Sequence, residues 1–196
     1  MSNLFYNKVN SKLILASQSS QRLSLLNSIG IIPFKVVNPG IDETILKYEK
    51  PKQYVLRVAS FKAKKILAEY PDNVVLSADT IVVKGTRIID KTENKNEAYK
   101  SLLLLSGGWH RVYSSVVVVK KNKVYNKLVM TRVKFKRLSQ SDLNLYLNSN
   151  EWSGKSGSYA IQGAAAGFII EIKGSYSNVV GLPLYETISL IRGVGV

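Results

Sequence analysis

Cysteine is absent from all 196 residues and histidine occurs once. No disulfide framework and no thiolate nucleophile can therefore operate. An ordinary structural zinc site is excluded, and too few ligands remain for a His-rich catalytic one. Long hydrophobic runs are also missing. The longest, such as Leu102–Leu105 and Val116–Val119, fall far short of the roughly 20 apolar residues that a membrane-spanning helix needs. The opening "MSNLFYNKVNSK" lacks the long apolar region of a secretory signal. The expectation is a soluble, cytoplasmic protein with no membrane partner. Acidic residues are scarce, 13 against 28 basic, for a net charge of +15. Such a balance is common in proteins that bind nucleic acid. Here lysine outnumbers arginine 21 to 7 and the basic residues are dispersed through several segments. They read as scattered surface charge, and no nucleic-acid partner is expected.

What is present is a core. Hydrophobic residues make up 45% of the chain, and the length, residues 1–196, suits one domain or two small lobes around one cleft. Lys12–Ala16 reads as a strand and Ser20–Ser28 as a helix stopped by Gly30. Phe34–Asn38 is a short strand ended by Pro39-Gly40. Pro51 opens a helix to Glu69, with Val55, Ala59, Ala63 and Ile66 on its apolar stripe. Asn73–Val83 is β-rich around a polar island. Asn94–Leu105 is a helix closed by Gly107-Gly108. A long hairpin turns near Lys121–Lys123. Ser139 and Asp142 form a capping-box pattern for a helix to about Asn148. A strand at Phe168–Lys173 and a helix at Leu184–Arg192 end the chain. Strands and helices mix without a βαβ rhythm, which predicts an α/β fold with a mixed sheet.

Some motifs carry nothing. "SNEWSGKS" (Ser149–Ser156) imitates a phosphate-binding P-loop, but Ser149 stands where the first glycine belongs and a helix-like segment precedes it. Gly163 and Gly167 have the spacing of membrane helix dimers without an apolar 20-mer around them. His110, at the start of an apolar strand, reads as structural.

Two polar islands remain. "LILASQSSQR" (Leu13–Arg22) ends a strand and opens a helix, with no glycine between. The first N–H groups of a helix are unpaired and partly positive. Ser17, Ser19 and Ser20 add hydroxyl donors and Arg22 a fork suited to phosphate oxygens. A plain serine N-cap followed by a solvated arginine explains the same segment. "SADT" (Ser77–Thr80) places Asp79 among Val, Leu and Ile. A carboxylate there must be paired, bind metal or face a cleft. It could hold a divalent cation or take a proton from water; a salt-bridged structural aspartate is the alternative. Asp42-Glu43, after Pro39-Gly40, is a third acidic spot.

In this order the islands resemble the Maf family of nucleotide pyrophosphatases over nearly the whole chain. The family's "SxSPRR" loop corresponds to Ser17–Arg22, its "DE" to Asp42-Glu43, and its "AxxKA" to Ala59–Ala63 with Lys62. Its "ADT" is Ala78-Asp79-Thr80, and a "GKP"-like turn holds Lys91. "LSG…H.VYT" corresponds to Leu105–Gly107, His110 and Val112–Ser114. "KSGSYAIQGAAAGFIIEIKGSYSNVVGLPLYET" (Lys155–Thr187) is the most specific block.

The resemblance implies a fold similar to inosine-triphosphate pyrophosphatases, an elongated mixed sheet flanked by helices with a central nucleotide cleft. It implies hydrolysis of nucleoside triphosphates to monophosphate and pyrophosphate with a divalent metal, Mg, Mn or Co. "ADT" and "YAIQG" match the branch that prefers dTTP and UTP over 7-methyl-GTP. By the same carry-over Asp79 is the proton acceptor and, with Glu43, a metal ligand. Ser17, Ser19, Arg22, Lys62 and Lys91 hold phosphates, and Gln21, Thr80 and Gln162 set specificity. Tyr159 lies against the base or in the core. The resemblance also suggests a homodimer. The chain departs from the pattern at Ser20, for proline, at Gln21, for the first of two arginines, and at Asp90 and Thr92 around Lys91. A basic nucleic-acid-binding or regulatory protein is the other class open to such a chain, but it has no use for Asp79 in a metal site.

Overall fold

The computed structural model describes residues 12–195. The opening segment, on which the reading of the N-terminus rests, lies almost entirely outside them. Seven strands are present among the described residues: β1 (Leu13–Ala16), β2 (Lys35–Val37), β3 (Val74–Lys84), β4 (Arg87–Ile89), β5 (Trp109–Lys120), β6 (Lys123–Phe135) and β7 (Ile169–Lys173). The helices are α1 (Ser20–Ser28), α2 (Pro51–Glu69), α3 (Lys95–Leu105), α4 (Gln140–Asn148), α5 (Tyr176–Val180) and α6 (Leu184–Gly193). Two single-turn 3-10 segments, Ser156–Ser158 and Ala164–Phe168, lie between α4 and β7.

The strands form one sheet in the order β2-β1-β3-β5-β6-β7, with β4 paired to β3. β1 is parallel to β2 and β3, whereas β4 is antiparallel to β3 and β7 to β6. The sheet is therefore mixed and the fold is α/β, as the irregular order of strands and helices predicts. No helix of the described residues is long and apolar enough to cross a membrane.

Two units partition the chain. One holds the residues up to Asp79, Ser114–Val129 and the stretch from Gly181; the other holds Thr80–Tyr113 and Met130–Val180. In the first, Ile14 and Ala16 of β1, Val75 of β3 and Val117 and Val119 of β5 pack against Ala59, Ala63 and Ile66 of α2. These helix positions repeat at i, i+4 and i+7, the stripe expected of a helix laid on a sheet. In the second, Leu102, Leu105, Leu143, Tyr146, Phe135 and Phe168 form the centre of the core. Tyr159 belongs to this core: its ring packs edge-on against Phe135 and His110, and its hydroxyl lies 2.9 Å from His110 Nε2. Burial of His110, aided by the charge of Lys84, pushes its pKa down to about 3, so the ring is neutral at pH 7 and structural.

Local signals set the boundaries. Ser19 caps α1, accepting the Arg22 N–H. Gly30, at φ 77°, closes the helix in a left-handed conformation that a side chain would resist, and Ile31 N–H then returns to Leu26 O. Pro51 begins α2. Asn94 and Ser139 cap α3 and α4 through their side-chain oxygens. β2 is shorter than the expected Phe34–Asn38. The polar island of residues 77–80 does not interrupt β3, which runs through it unbroken.

Candidate active site

Asp79 sits in the middle of β3, and its carboxylate meets α2. Residues 75, 77 and 79 point to the same side of a strand, the side that α2 covers. Ser77 Oγ donates to Ala59 O at 2.6 Å. One helical turn further along α2, Lys62 Nζ lies 2.9 Å from Asp79 Oδ1. The strand period and the helix period thus bring Ser77–Ala59 and Asp79–Lys62 together as successive rungs.

Lys62 has a second carboxylate. Its ammonium lies 2.7 Å from Glu43 Oε1. Lys62 and Asp79 are 5% and 3% exposed at the side chain, while Glu43 is 37% exposed. A buried ammonium is thus held between a buried strand aspartate and a glutamate open to solvent. Asp42, next to Glu43, does something different. Its Oδ1 accepts from the N–H and hydroxyl of Thr44, at 2.8 and 2.6 Å, and forms a local turn. Of the acidic pair, it is Glu43 that meets Lys62.

Arg22 is the second cation. It is 8% exposed, which corrects the expectation of a solvated arginine. Its Nε donates to Gly181 O at 2.9 Å and its Nη1 to Ser17 Oγ at 3.1 Å. Burial pulls its pKa below the ordinary value, and the charges of Asp79 and then Glu43 pull it back. The two carboxylates are thus close enough for Arg22 to feel both. Ser17 is buried and also accepts from Ser19 N–H at 3.2 Å. Ser19 donates to Gln21 Oε1 at 3.1 Å. The start of α1 is therefore a pre-tied loop of hydroxyls around one guanidinium at a helix N-terminus, a combination suited to an anion.

Of the residues singled out from the sequence, Ser17, Ser19, Gln21, Arg22, Glu43, Lys62 and Asp79 all belong to the first unit. Thr80, Lys91 and Gln162 belong to the second. Thr80 is half-buried in β3 and its carbonyl accepts from Ser156 Oγ at 2.9 Å. Lys91 is exposed between β4 and α3, and Gln162 is exposed in the turn before Ala164.

Sequence reasoning did not single out several residues that hold this arrangement. Gly181 offers the carbonyl for Arg22 from a backbone at φ 132°, which favours glycine. Tyr54, Arg57 and Lys65 of α2 bond the segment that carries Glu43. A "VVGLPL" spelling marks Gly181 as a backbone position but says nothing of what its carbonyl meets.

The site can do the following chemistry. Two carboxylates already converge on one cationic group. Among the described residues no group of three or more His, Cys, Asp or Glu side chains could hold a metal ion. The two oxygen donors at Lys62, Asp79 and Glu43, are of the kind that a hard divalent cation such as Mg²⁺ could use, since it takes one or two carboxylates and completes its shell with water and substrate phosphates.

A family model described as Maf-like protein matches residues 12–194. A protein of Ehrlichia chaffeensis named nucleoside triphosphate pyrophosphatase is 51% identical over 180 residues, covering 91% of this chain and 94% of its own. A protein of Chelativorans sp. named dTTP/UTP pyrophosphatase is 49% identical over 191 residues, covering 94% and 91%. The Ham1 protein of Staphylococcus aureus aligns over 92% of this chain and 98% of its own, at 11% identity and a TM-score of 0.46, a likeness too weak to carry an argument.

Proposed function

The chain belongs to the Maf family, and on that premise we propose that it hydrolyses nucleoside triphosphates, dTTP and UTP before others, to monophosphate and pyrophosphate. Relatives named for this activity match it along nearly their whole length. The observation that carries the reading is the buried Lys62 ammonium shared by Asp79 and Glu43, with the Arg22 guanidinium in electrostatic reach.

The reaction joins a water oxygen to the α-phosphorus and breaks the bond from that phosphorus to the oxygen leading to the β-phosphorus. Pyrophosphate leaves, and one water proton must be taken up. Asp79 accepts that proton. Without substrate, Lys62 neutralises Asp79 and Glu43. An arriving triphosphate competes for the same ammonium, so substrate binding weakens its hold on Asp79 and frees the carboxylate to act as a base. Arg22 and the N-terminus of α1, with Ser17 and Ser19, receive the phosphate oxygens where negative charge grows. A divalent cation held by Glu43 and Asp79 would neutralise phosphate charge and align the phosphates for attack. For Thr80, Lys91 and Gln162 the support is the motif pattern. The Gln162 amide can donate and accept to a pyrimidine edge, and Lys91 adds a positive charge for the phosphates.

The test is a panel of nucleoside triphosphates incubated with Mg²⁺, Mn²⁺ or Co²⁺, and with a chelator, followed by separation of the products. Monophosphate and pyrophosphate should form fastest from dTTP and UTP, and the chelator should stop them. Diphosphate with orthophosphate as the products would overturn the reading.

A further inference from the structure

We propose that Tyr54 and Arg57 are positioning residues for Glu43, fixing the backbone that carries its carboxylate and so setting how tightly the site takes a divalent cation. This rests on the reading of Glu43 as a metal ligand.

Between Asn38 and Lys50 the chain forms neither helix nor strand. A ligand on such a segment must be ordered before it can bind, and that ordering costs conformational entropy. The structure meets that cost in advance through one face of α2. Tyr54 Oη donates to Glu43 O at 2.9 Å. Arg57 Nη2 donates to Thr44 O, the next carbonyl along, at 3.0 Å. Tyr54 and Arg57 are three residues apart on a helix and so stand side by side. Together they hold two successive carbonyls and fix the peptide plane between them.

The brace is itself braced. Arg57 Nε and Nη2 grip Glu49 Oε1 and Oε2 at 2.6 and 2.8 Å, and Glu49 Oε2 also accepts from Leu46 N–H at 3.1 Å. A two-pronged pair of this kind fixes direction as well as distance. It raises the Arg57 pKa and lowers that of Glu49. The guanidinium also lies over the rings of Tyr54, at 5.6 Å, and Phe61, at 5.8 Å. On the other side of Glu43, Lys65 Nζ of the same helix donates to Gly40 O at 2.8 Å. Helix α2 thus supplies both the ammonium that meets the Glu43 side chain and the groups that hold its main chain. Nothing in a scaffold role requires two adjacent carbonyls beside the one solvent-open carboxylate of the pair to be fixed by separate side chains; a ligand position does.

The experiment measures Mn²⁺ binding by electron paramagnetic resonance on the full chain, with a non-hydrolysable α,β-methylene analogue of dTTP present. Turnover and thermal stability are measured on the same proteins: Tyr54→Phe, Arg57→Gln, Glu43→Gln and the double variant Tyr54→Phe/Glu43→Gln. Tyr54→Phe keeps the ring and removes one hydroxyl. It should weaken Mn²⁺ binding by about 2–10-fold, the worth of one hydrogen bond, and leave kcat at saturating Mn²⁺ within about twofold. Arg57→Gln should weaken binding further. In the Glu43→Gln background, Tyr54→Phe should change Mn²⁺ binding no more. Equal weakening in both backgrounds would show that Tyr54 acts on the fold and not through Glu43, which overturns the proposal. Unchanged Mn²⁺ binding in Tyr54→Phe, with Glu43→Gln clearly impaired, overturns the positioning role alone. Unchanged binding in Glu43→Gln overturns the metal reading of Glu43 and the positioning role with it.

Discussion

Lys62 Nζ stands 2.9 Å from Asp79 Oδ1 with both side chains almost fully buried. As a source of stability this is a poor arrangement. Taking an ammonium and a carboxylate out of water costs about as much as their attraction returns, and well-packed apolar residues often do as well or better. The pair therefore asks for a role beyond the fold. Proton acceptance by Asp79, once a triphosphate draws on Lys62, is such a role.

Replacing Asp79 by asparagine keeps the shape and an oxygen for the Lys62 ammonium to bond. The fold should persist by circular dichroism, while turnover of dTTP should fall by roughly 10²–10⁴-fold, the usual worth of a positioned acid or base. Near-normal turnover would make Asp79 a structural partner of Lys62 and nothing more.

The phosphate contact proposed for Arg22 and its structural bonds to Ser17 and Gly181 separate in kinetics and melting. A charge-assisted contact to phosphate is worth roughly 1.5–3 kcal/mol, so Arg22→Ala should lower kcat/KM by about 10–100-fold. Because Arg22 is buried and bonded to Ser17 and Gly181, the variant should also melt at a lower temperature, since those acceptors lose their donor. Arg22→Lys keeps the charge but cannot reproduce the fork, and should recover part of the efficiency. A loss of stability with unchanged kcat/KM would reduce the loop to a helix cap.

His110 predicts how stability depends on pH. In the folded chain its pKa is about 3 because burial disfavours the charged ring, against about 6.5 in an unfolded chain. Between these values the unfolded state binds more protons, so stability falls as pH drops below about 6.5, by up to about 1.4 kcal/mol per pH unit from this group. Urea unfolding at pH 7, 5.5 and 4.5 measures it. His110→Gln should flatten the profile, and an unchanged profile would show that other groups carry the acid sensitivity.

Gln162 is proposed to read the base, so Gln162→Glu should redistribute activity among dTTP, UTP and the purine nucleotides. Relative kcat/KM across the panel is the measurement. A uniform fall for every nucleotide would remove Gln162 from base selection.

Much of this was legible in the residues. Periodicity and caps placed the major helices and strands closely, because Ser19, Asn94 and Ser139 act within a few residues of themselves. β4 and α5 were not foreseen; at three and five residues they are too short to show a period, and β4 is defined only by its hairpin pairing with β3. Asp79 stood out because a carboxylate among Val, Leu and Ile needs a partner, but its partner, Lys62, lies 17 residues earlier and is reached only through the sheet–helix packing. For the same reason the burial of Arg22 was missed: its acceptor, Gly181, is 159 residues away. Tyr54 and Arg57 gave no signal, since a polar residue on a helix face looks alike whether it meets water or a carbonyl.

Hydrolysis of dTTP in ¹⁸O-labelled water, with the products weighed by mass spectrometry, tests the central claim most directly. Attack at the α-phosphorus puts one ¹⁸O in the monophosphate and none in the pyrophosphate, and the rate of that labelling collapses in Asp79→Asn. Label in the pyrophosphate, or in orthophosphate released beside a diphosphate, would contradict the account.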